Sequence, residues 1–344
     1  MNSLNYIGSK HTLYPELKPH FEKLIRVVEK DGKRVVFGDL FAGTGVVGYN
    51  IGTEYNAQII SNDIQNYSFV INTANLSVYT QDDIETINRF VVEYNGIKGL
   101  KGFIYNNYCK HERCERMYFS PENAMKIDAV RERLAADRHD MHENVYFYLL
   151  ANLISSADKV ANTSCVYGAY LKEIKKSATK PMLLTCLGPN TKQIKVAGDV
   201  YCGNISMVRF PPMDIVYLDP PYNNRQYAPN YHILETIALA DEPEIHGKTG
   251  LRDYASQKSK FCIKSLVAEE MKKLIASLPA RFIAISYNDE GIINKKDFID
   301  LLEEFGTVDV VEIAYKKFKA QAIDSENEKR KIIEYLFILS KTNL

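Results

Sequence analysis

Tryptophan is absent from the 344 residues, and no pair of cysteines has C-x-x-C spacing. The six cysteines, at 109, 114, 165, 186, 202 and 262, are scattered through a chain too long to need disulfide staples. A reduced, cytoplasmic protein is the expectation. No apolar run reaches the ~18–20 residues of a membrane span. Residues 1–11 contain no apolar core of a secretory signal. Net charge is missing as well, because 43 Lys and Arg balance 43 Asp and Glu. That excludes a bulk polyelectrolyte, but a neutral total can hide a basic face. Internal repeats and low-complexity tracts are lacking. Tyrosine, by contrast, is plentiful at 23, and hydrophobic residues make up an ordinary 46%. A mass of 39.3 kDa allows one elaborated domain, or a core with a smaller domain inserted.

The order of elements favours the second arrangement. An apolar strand over 34–41 runs into a glycine-rich turn and a helix-compatible stretch at 46–55. A second strand at 57–63 and a helix over 65–79 follow, which is the βαβ pattern of a parallel sheet. Alternation lapses from 81 to 191. Helices are predicted there at 122–138 and 144–160, the first with Pro121 at its start and Ser120 as N-cap. Strands resume at 195–199, 214–219 and 281–287, with a helix over 268–278 between the last two. The runs 307–317 and 331–341 read as an antiparallel pair. Residues 1–80 and 192–344 are therefore expected to form one core, and 81–191 a mainly helical insertion.

The turn after the first strand reads Asp39-Leu-Phe-Ala-Gly43-Thr-Gly45-Val-Val-Gly48. Its glycines satisfy G-x-G-x-x-G, and Asp63 ends the next strand. Glycines let the backbone approach a ligand, and a carboxylate on the next strand accepts from ribose hydroxyls. Any nucleoside cofactor would suit this logic. Asp39 narrows it: a carboxylate beside the turn repels a pyrophosphate but favours the ammonium and sulfonium of S-adenosylmethionine.

Asp219-Pro220-Pro221-Tyr222 directly follows the strand at 214–219. Two prolines remove two backbone donors and fix two φ angles. The loop is stiffened, and the Asp219 carboxylate and Pro220 carbonyl become paired acceptors for an exocyclic amino group. Tyr222 adds a flat face on which a base can stack.

These pieces together resemble the D12 class of DNA N6-adenine methyltransferases. Asn5-Tyr-Ile-Gly-Ser-Lys10 resembles the family's N-terminal motif, and 39–45 its glycine motif. Asn62-Asp63, Asp199 and Asp219–Tyr222 fall where it has acidic and catalytic motifs, in the order of the alpha group. The segments 223–227 and 230–236 further resemble the restriction–modification branch. The resemblance implies an α/β, Rossmann-like S-adenosylmethionine-dependent methyltransferase core with a mixed seven-stranded sheet. It implies S-adenosylmethionine as donor, an adenine flipped out of double-stranded DNA as acceptor, and no metal. Asp219, Pro220, Pro221 and Tyr222 take the catalytic place. Tyr6, Gly8, Lys10, Asp39, Phe41, Ala42, Gly43, Gly45, Asp63 and Asp199 take the cofactor's side. Within that set, Lys10 is expected on the methionine carboxylate, Asp39 on the ammonium, Asp63 on the ribose and Asp199 on the cofactor adenine. The insertion is expected to recognise the target, with the loop at 223–261 contributing. A cognate restriction endonuclease acting on the same site, in a bacterial cytoplasm, is implied as well.

Other features receive plainer readings. Cys109-x-His111-x-x-Cys114 lacks zinc spacing and a second ligand pair. His232 reads as structural or DNA-facing rather than as a base. Lys172, Lys175, Lys176 and Lys180 form a stripe suited either to solvent or to phosphate contact, and Lys316, Lys317 and Lys319 form a weaker one. Residues 286–291 end a strand and are read as lining the pocket. Three competitors stay open: an amino-methyltransferase for RNA or protein, a nicotinamide dehydrogenase, and a catalytically inactive DNA-binding relative.

Overall fold

The computed structural model describes residues 4, 8–30, 32–188, 191–316 and 331–342. The chain divides into two compact units. A sheet unit takes Ser9–Ile64, Lys195–Gln226 and Gln257–Leu344. A helical unit takes Met1–Gly8, Gln65–Ile194 and Tyr227–Ser256. The helical unit contains 81–191 and also holds the helices Asn66–Asn75 and His232–Leu239.

In the sheet unit, β1 (Val36–Asp39), β2 (Gln58–Asp63), β3 (Asp199–Cys202), β4 (Met213–Leu218), β5 (Ala280–Asn288), β6 (Gly306–Lys316) and β7 (Lys331–Lys341) share one sheet. Their order is β3-β2-β1-β4-β5-β7-β6. The first five strands pair in parallel, and β7 runs antiparallel between β5 and β6. The fold is the expected Rossmann-like α/β fold with a mixed sheet. From Ile215 to Leu218, β4 is apolar without a break because both of its faces are covered. Val216 and Leu218 join a cluster with Val267, Met271 and Phe298 of the helices Val267–Ser277 and Lys295–Glu303. On the opposite face, Phe21 of the helix Tyr14–Glu29 meets Tyr217 and Phe37 edge-on, with ring centroids 5.3 and 5.5 Å away.

One strand departs from expectation. The sequence predicts a strand over 195–199 ending at Asp199; instead β3 begins at Asp199 and ends at Cys202. Val200, Tyr201 and Cys202 carry the extended-chain preference, and the Gly203-Asn204 turn stops it.

The helical unit accounts for much of the tyrosine. Tyr94, Tyr108, Tyr118 and Tyr167 are fully buried, and each hydroxyl donates to an acceptor: Asp137 and the Gly250 carbonyl, then the Tyr167 carbonyl and Asp158. A phenol can fill a core as tryptophan does if its hydroxyl finds such a partner. His232 lies among these rings with Nε2 3.1 Å from the Tyr167 carbonyl. Burial pushes its pKa down to about 4, so it is a neutral core residue. Ser120 caps the helix Pro121–Asp137 by accepting from the Asn123 amide at 3.2 Å.

Lys172, Lys176 and Lys180 are exposed, while Lys175 donates to the Thr163 carbonyl at 2.7 Å. Lys317, Lys319 and the side chain of Lys316 lie outside the described residues. Cys109 and Cys114 bond to backbone carbonyls, and the His111 ring stacks on Tyr105. Among the described residues, no three His, Cys, Asp or Glu gather to hold a metal, and no helix is long and apolar enough to cross a membrane.

Glu235, 1% exposed, closes the N-terminus of the helix Asn66–Asn75. Its carboxylate accepts from the Asn66 and Tyr67 amides, at 3.1 Å each, and from Asn66 Nδ2 at 2.6 Å. Glu235→Ala strands buried donors and is expected to cost about 2–4 kcal/mol. The urea midpoint for unfolding should fall accordingly; an unchanged midpoint would show that the cap is dispensable.

Candidate active site

From β1 the chain crosses to β2 on one side, and β4 pairs on the other. Such a reversal of strand order opens a crevice beyond the carboxyl ends of the strands. The loops after β1 and β4 both end there, and they carry the glycine turn and the Asp-Pro-Pro-Tyr box.

Gly43 and Gly45 have φ of +51° and +72°, a region that side chains with a Cβ disfavour. Gly45 is the N-cap of the helix Val46–Glu54. A Cβ on Gly48 would stand 3.3 Å from Asp39 Oδ2 and 3.1 Å from Ile59 Cγ2, so the third glycine serves the packing of helix on sheet. Asp39 Oδ2 accepts from the Gly48 amide at 2.9 Å, within the first helical turn. Asp63 Oδ2 accepts from the Gly43 amide at 2.8 Å and holds the turn in place. Asn62 ties three strand ends together, donating through Nδ2 to the carbonyls of Leu40 and Gly203 at 3.2 Å each. Phe41 packs edge-on against Phe261, and Ala42 donates its amide to the Asn62 carbonyl.

The Asp219 loop is braced by its neighbours. The Tyr222 carbonyl accepts from the Ile292 amide at 2.9 Å, and the Tyr222 ring lies edge-on to Tyr287. Gln226 exchanges two hydrogen bonds with the Ser259 backbone, at 2.8 and 3.0 Å. Behind the loop, Tyr217 donates to Ser286 Oγ, so residues of the 286–291 stretch support it from β5.

Lys10 places its ammonium 2.9 Å from Asp219 Oδ1 and 3.0 Å from Glu334 Oε1. Glu334 reaches this end because β7 runs antiparallel, which sets its residues 333 and 334 beside the carboxyl end of β5. Asp39, Asp63, Asp219 and Glu334 give this region an excess of negative charge. Burial pushes the Asp39 carboxyl up to about 7; the Gly48 amide opposes this, and the Asp219 and Asp63 charges add to it. Burial likewise raises Asp219 to about 6, with Lys10 pulling down and Glu334 pushing up. Lys10 itself is held protonated, because Asp219 and Glu334 overcome the effect of burial.

The sheet unit thus brings together Lys10, Asp39, Phe41, Ala42, Gly43, Gly45, Asp63 and Asp219 to Tyr222. Asp199 stands apart. It opens β3 beside Ile60, three residues before the row of Asp63 and Cys202, is exposed, and accepts from Gln58 Nε2 at 3.0 Å. Gly203 and Asn204 occupy the carboxyl end in its place, with the Gly203 amide donating to the Asp63 carbonyl. The β-favouring Val200-Tyr-Cys run before Gly203-Asn204 was the available signal. Gly8 belongs to the helical unit, where a Cβ would stand 3.3 Å from the Tyr227 hydroxyl. Tyr6 lies outside the described residues. Glu334 was not anticipated at all.

Fold and site define an open α/β enzyme with a nucleoside-type glycine turn facing a carboxylate–proline loop. Residues 6–301 match the model of the D12 class of N6 adenine-specific DNA methyltransferases. The chain belongs to that family, and it methylates adenine in DNA at a specific site. It is 40% identical to the type II methyltransferase M.NlaIII of Neisseria lactamica, over 98% of this chain and 100% of that protein. It is 36% identical to M.CviAII of Paramecium bursaria Chlorella virus 1, over 98% and 99%. M.FokI of Planomicrobium okeanokoites is 34% identical over 98% of this chain, which spans 53% of that protein.

Proposed function

We propose that the chain uses S-adenosylmethionine to methylate an adenine flipped out of duplex DNA, with Asp219 and the Pro220 carbonyl gripping the N6 amine. The observation that carries this reading is the position of Asp219, a partly exposed carboxylate across the strand-order reversal from the glycine turn. The cofactor fits the charge of the site. Buried carboxylates whose pKa values are raised by burial and by one another are relieved by a cationic ligand. S-adenosylmethionine supplies an electrophilic methyl group on a sulfonium.

The remaining steps belong to this chain's own residues. Asp63 and the 41–45 turn bind the nucleoside end, and Asp39 faces the ammonium. Asn204, rather than Asp199, suits the cofactor adenine, because it follows β3 at the carboxyl end. Lys10 is assigned to Asp219 rather than to the methionine carboxylate. At the acceptor, Asp219 and the Pro220 carbonyl each accept one N6 hydrogen, which holds the amine and turns its lone pair out of conjugation. Transfer of the sulfonium methyl to N6 would leave the amine with a proton to shed, and Asp219 would take it up. Tyr222 stacks on the base, which offsets about 1–3 kcal/mol of the unstacking cost. The helical unit reads the target sequence, and its exposed Lys172, Lys176 and Lys180 contact phosphate. A restriction endonuclease of the same specificity in a bacterial cytoplasm completes the setting; the type II names of the relatives support it.

Asp219→Ala should abolish transfer of labelled methyl to DNA while cofactor binding survives within a few-fold. Transfer at the wild-type rate would sink the mechanism. Asp199→Asn should leave the cofactor KM unchanged, whereas Asn204→Ala should raise it about tenfold, the loss of one hydrogen bond to a buried partner; the reverse pattern would return the role to Asp199. Asp39 must ionise to meet a cation, so binding should release a proton below its free-state pKa. Cofactor Kd is therefore expected to tighten as pH rises toward about 7, by up to about tenfold per unit, and to level off above it. Asp39→Asn should flatten this slope, and a slope that persists would assign the proton elsewhere.

A further inference from the structure

Glu334 is a buried carboxylate that the mechanism above does not use. It lies beyond the residues that match the family model, near the start of β7. Only 9% of its side chain is exposed. In the described structure its Oε1 has the Lys10 ammonium at 3.0 Å but no aligned hydrogen bond, whereas Lys10 hydrogen-bonds to Asp219. The arrangement is one ammonium between two carboxylates, hydrogen-bonded to Asp219 and in charge contact with Glu334.

That asymmetry matters when an amine arrives. An N6 hydrogen arriving at Asp219 shares the carboxylate charge with Lys10 and weakens the hold of Asp219 on the ammonium. A buried ammonium that loses its carboxylate without replacement is strongly disfavoured. We propose that Glu334 is a positioning residue that receives the Lys10 ammonium when the adenine amine claims Asp219. The inference rests on Asp219 being the amine acceptor. Among the described residues, the groups facing Asp219 are Lys10 from the N-terminal segment, Asp39 from β1, Tyr217 from β4, Tyr222 from its own loop and Glu334 from β7. Among the carboxylates of this set, Glu334 alone is in contact with Lys10.

The test is Glu334→Gln, assayed at saturating S-adenosylmethionine in single turnover, with Asp219→Ala measured beside it. Cofactor Kd is expected to stay within twofold of wild type. The methyl-transfer rate should fall about 10- to 100-fold, the size of loss that misplaced catalytic groups produce. The acid limb of kcat/KM for DNA should move to lower pH. Without the Glu334 charge the Asp219 carboxylate is easier to form, so activity is lost only at greater acidity. A general packing defect would lower the rate without moving the limb. Glu334→Asp keeps the charge one methylene away, so an intermediate rate is expected; it also serves if the Gln variant does not fold. A wild-type rate and limb in Glu334→Gln, with Asp219→Ala inactive, would overturn the role of Glu334 alone. An active Asp219→Ala would overturn the amine-acceptor reading itself.

Discussion

The excess of carboxylates over cations at the carboxyl ends of the parallel strands is the constraint on which the rest depends. Asp39, Asp63 and Asp219 each end or follow a strand of the sheet, and Glu334 enters the same region from the antiparallel β7. Left alone, such a group costs stability, because buried like charges cannot all stay ionised. The protein lowers that cost by three devices. Helix and turn amides bond to Asp39 and Asp63, Lys10 bridges Asp219 and Glu334, and two of the carboxylates hold their protons to unusually high pH. A site held in that state favours a cationic ligand and a hydrogen-bond-donating amine, which are what N6 methylation of adenine brings together.

The fold supplies the geometry cheaply. Parallel strands deliver side chains to one end, and the reversal between β1 and β4 separates the glycine turn from the proline loop by one strand spacing. Asn62 and the Gln226–Ser259 pair then fix loops that would otherwise be mobile. Preorganisation of this kind matters where the chemistry needs no strong base and relies on alignment.

Much of this was legible in the sequence. The G-x-G-x-x-G turn and the Asp-Pro-Pro-Tyr box lie on continuous local segments, and each follows an apolar strand, so pattern and position agree. The final antiparallel pair was equally plain from its two apolar runs. Asp199 misled because an acidic residue after Val-Ala-Gly imitates a strand end, while the real strand starts there and is only four residues long. Pairing with Ile60 decided the register, and pairing is not local information. The contact of Lys10 with Asp219 could not be read from sequence either, since the two are separated by more than 200 residues. Glu334 was invisible for the same reason: its contact joins the two ends of the chain through the antiparallel turn-back of β7. The helices Asn66–Asn75 and His232–Leu239 lie in the helical unit as well, because Val70, Ile71, Ile233 and Leu234 share an apolar cluster with Leu149 and Leu153, a contact that no composition shift marks.

The most direct measurement is a carboxyl-carbon NMR titration of Asp39 and Asp219 in the protein with and without S-adenosylmethionine. The carboxylate excess predicts midpoints of about 7 and about 6 in the free protein, with the Asp39 midpoint falling when the cofactor binds. Ordinary carboxylate midpoints for both residues, unmoved by the cofactor, would contradict it.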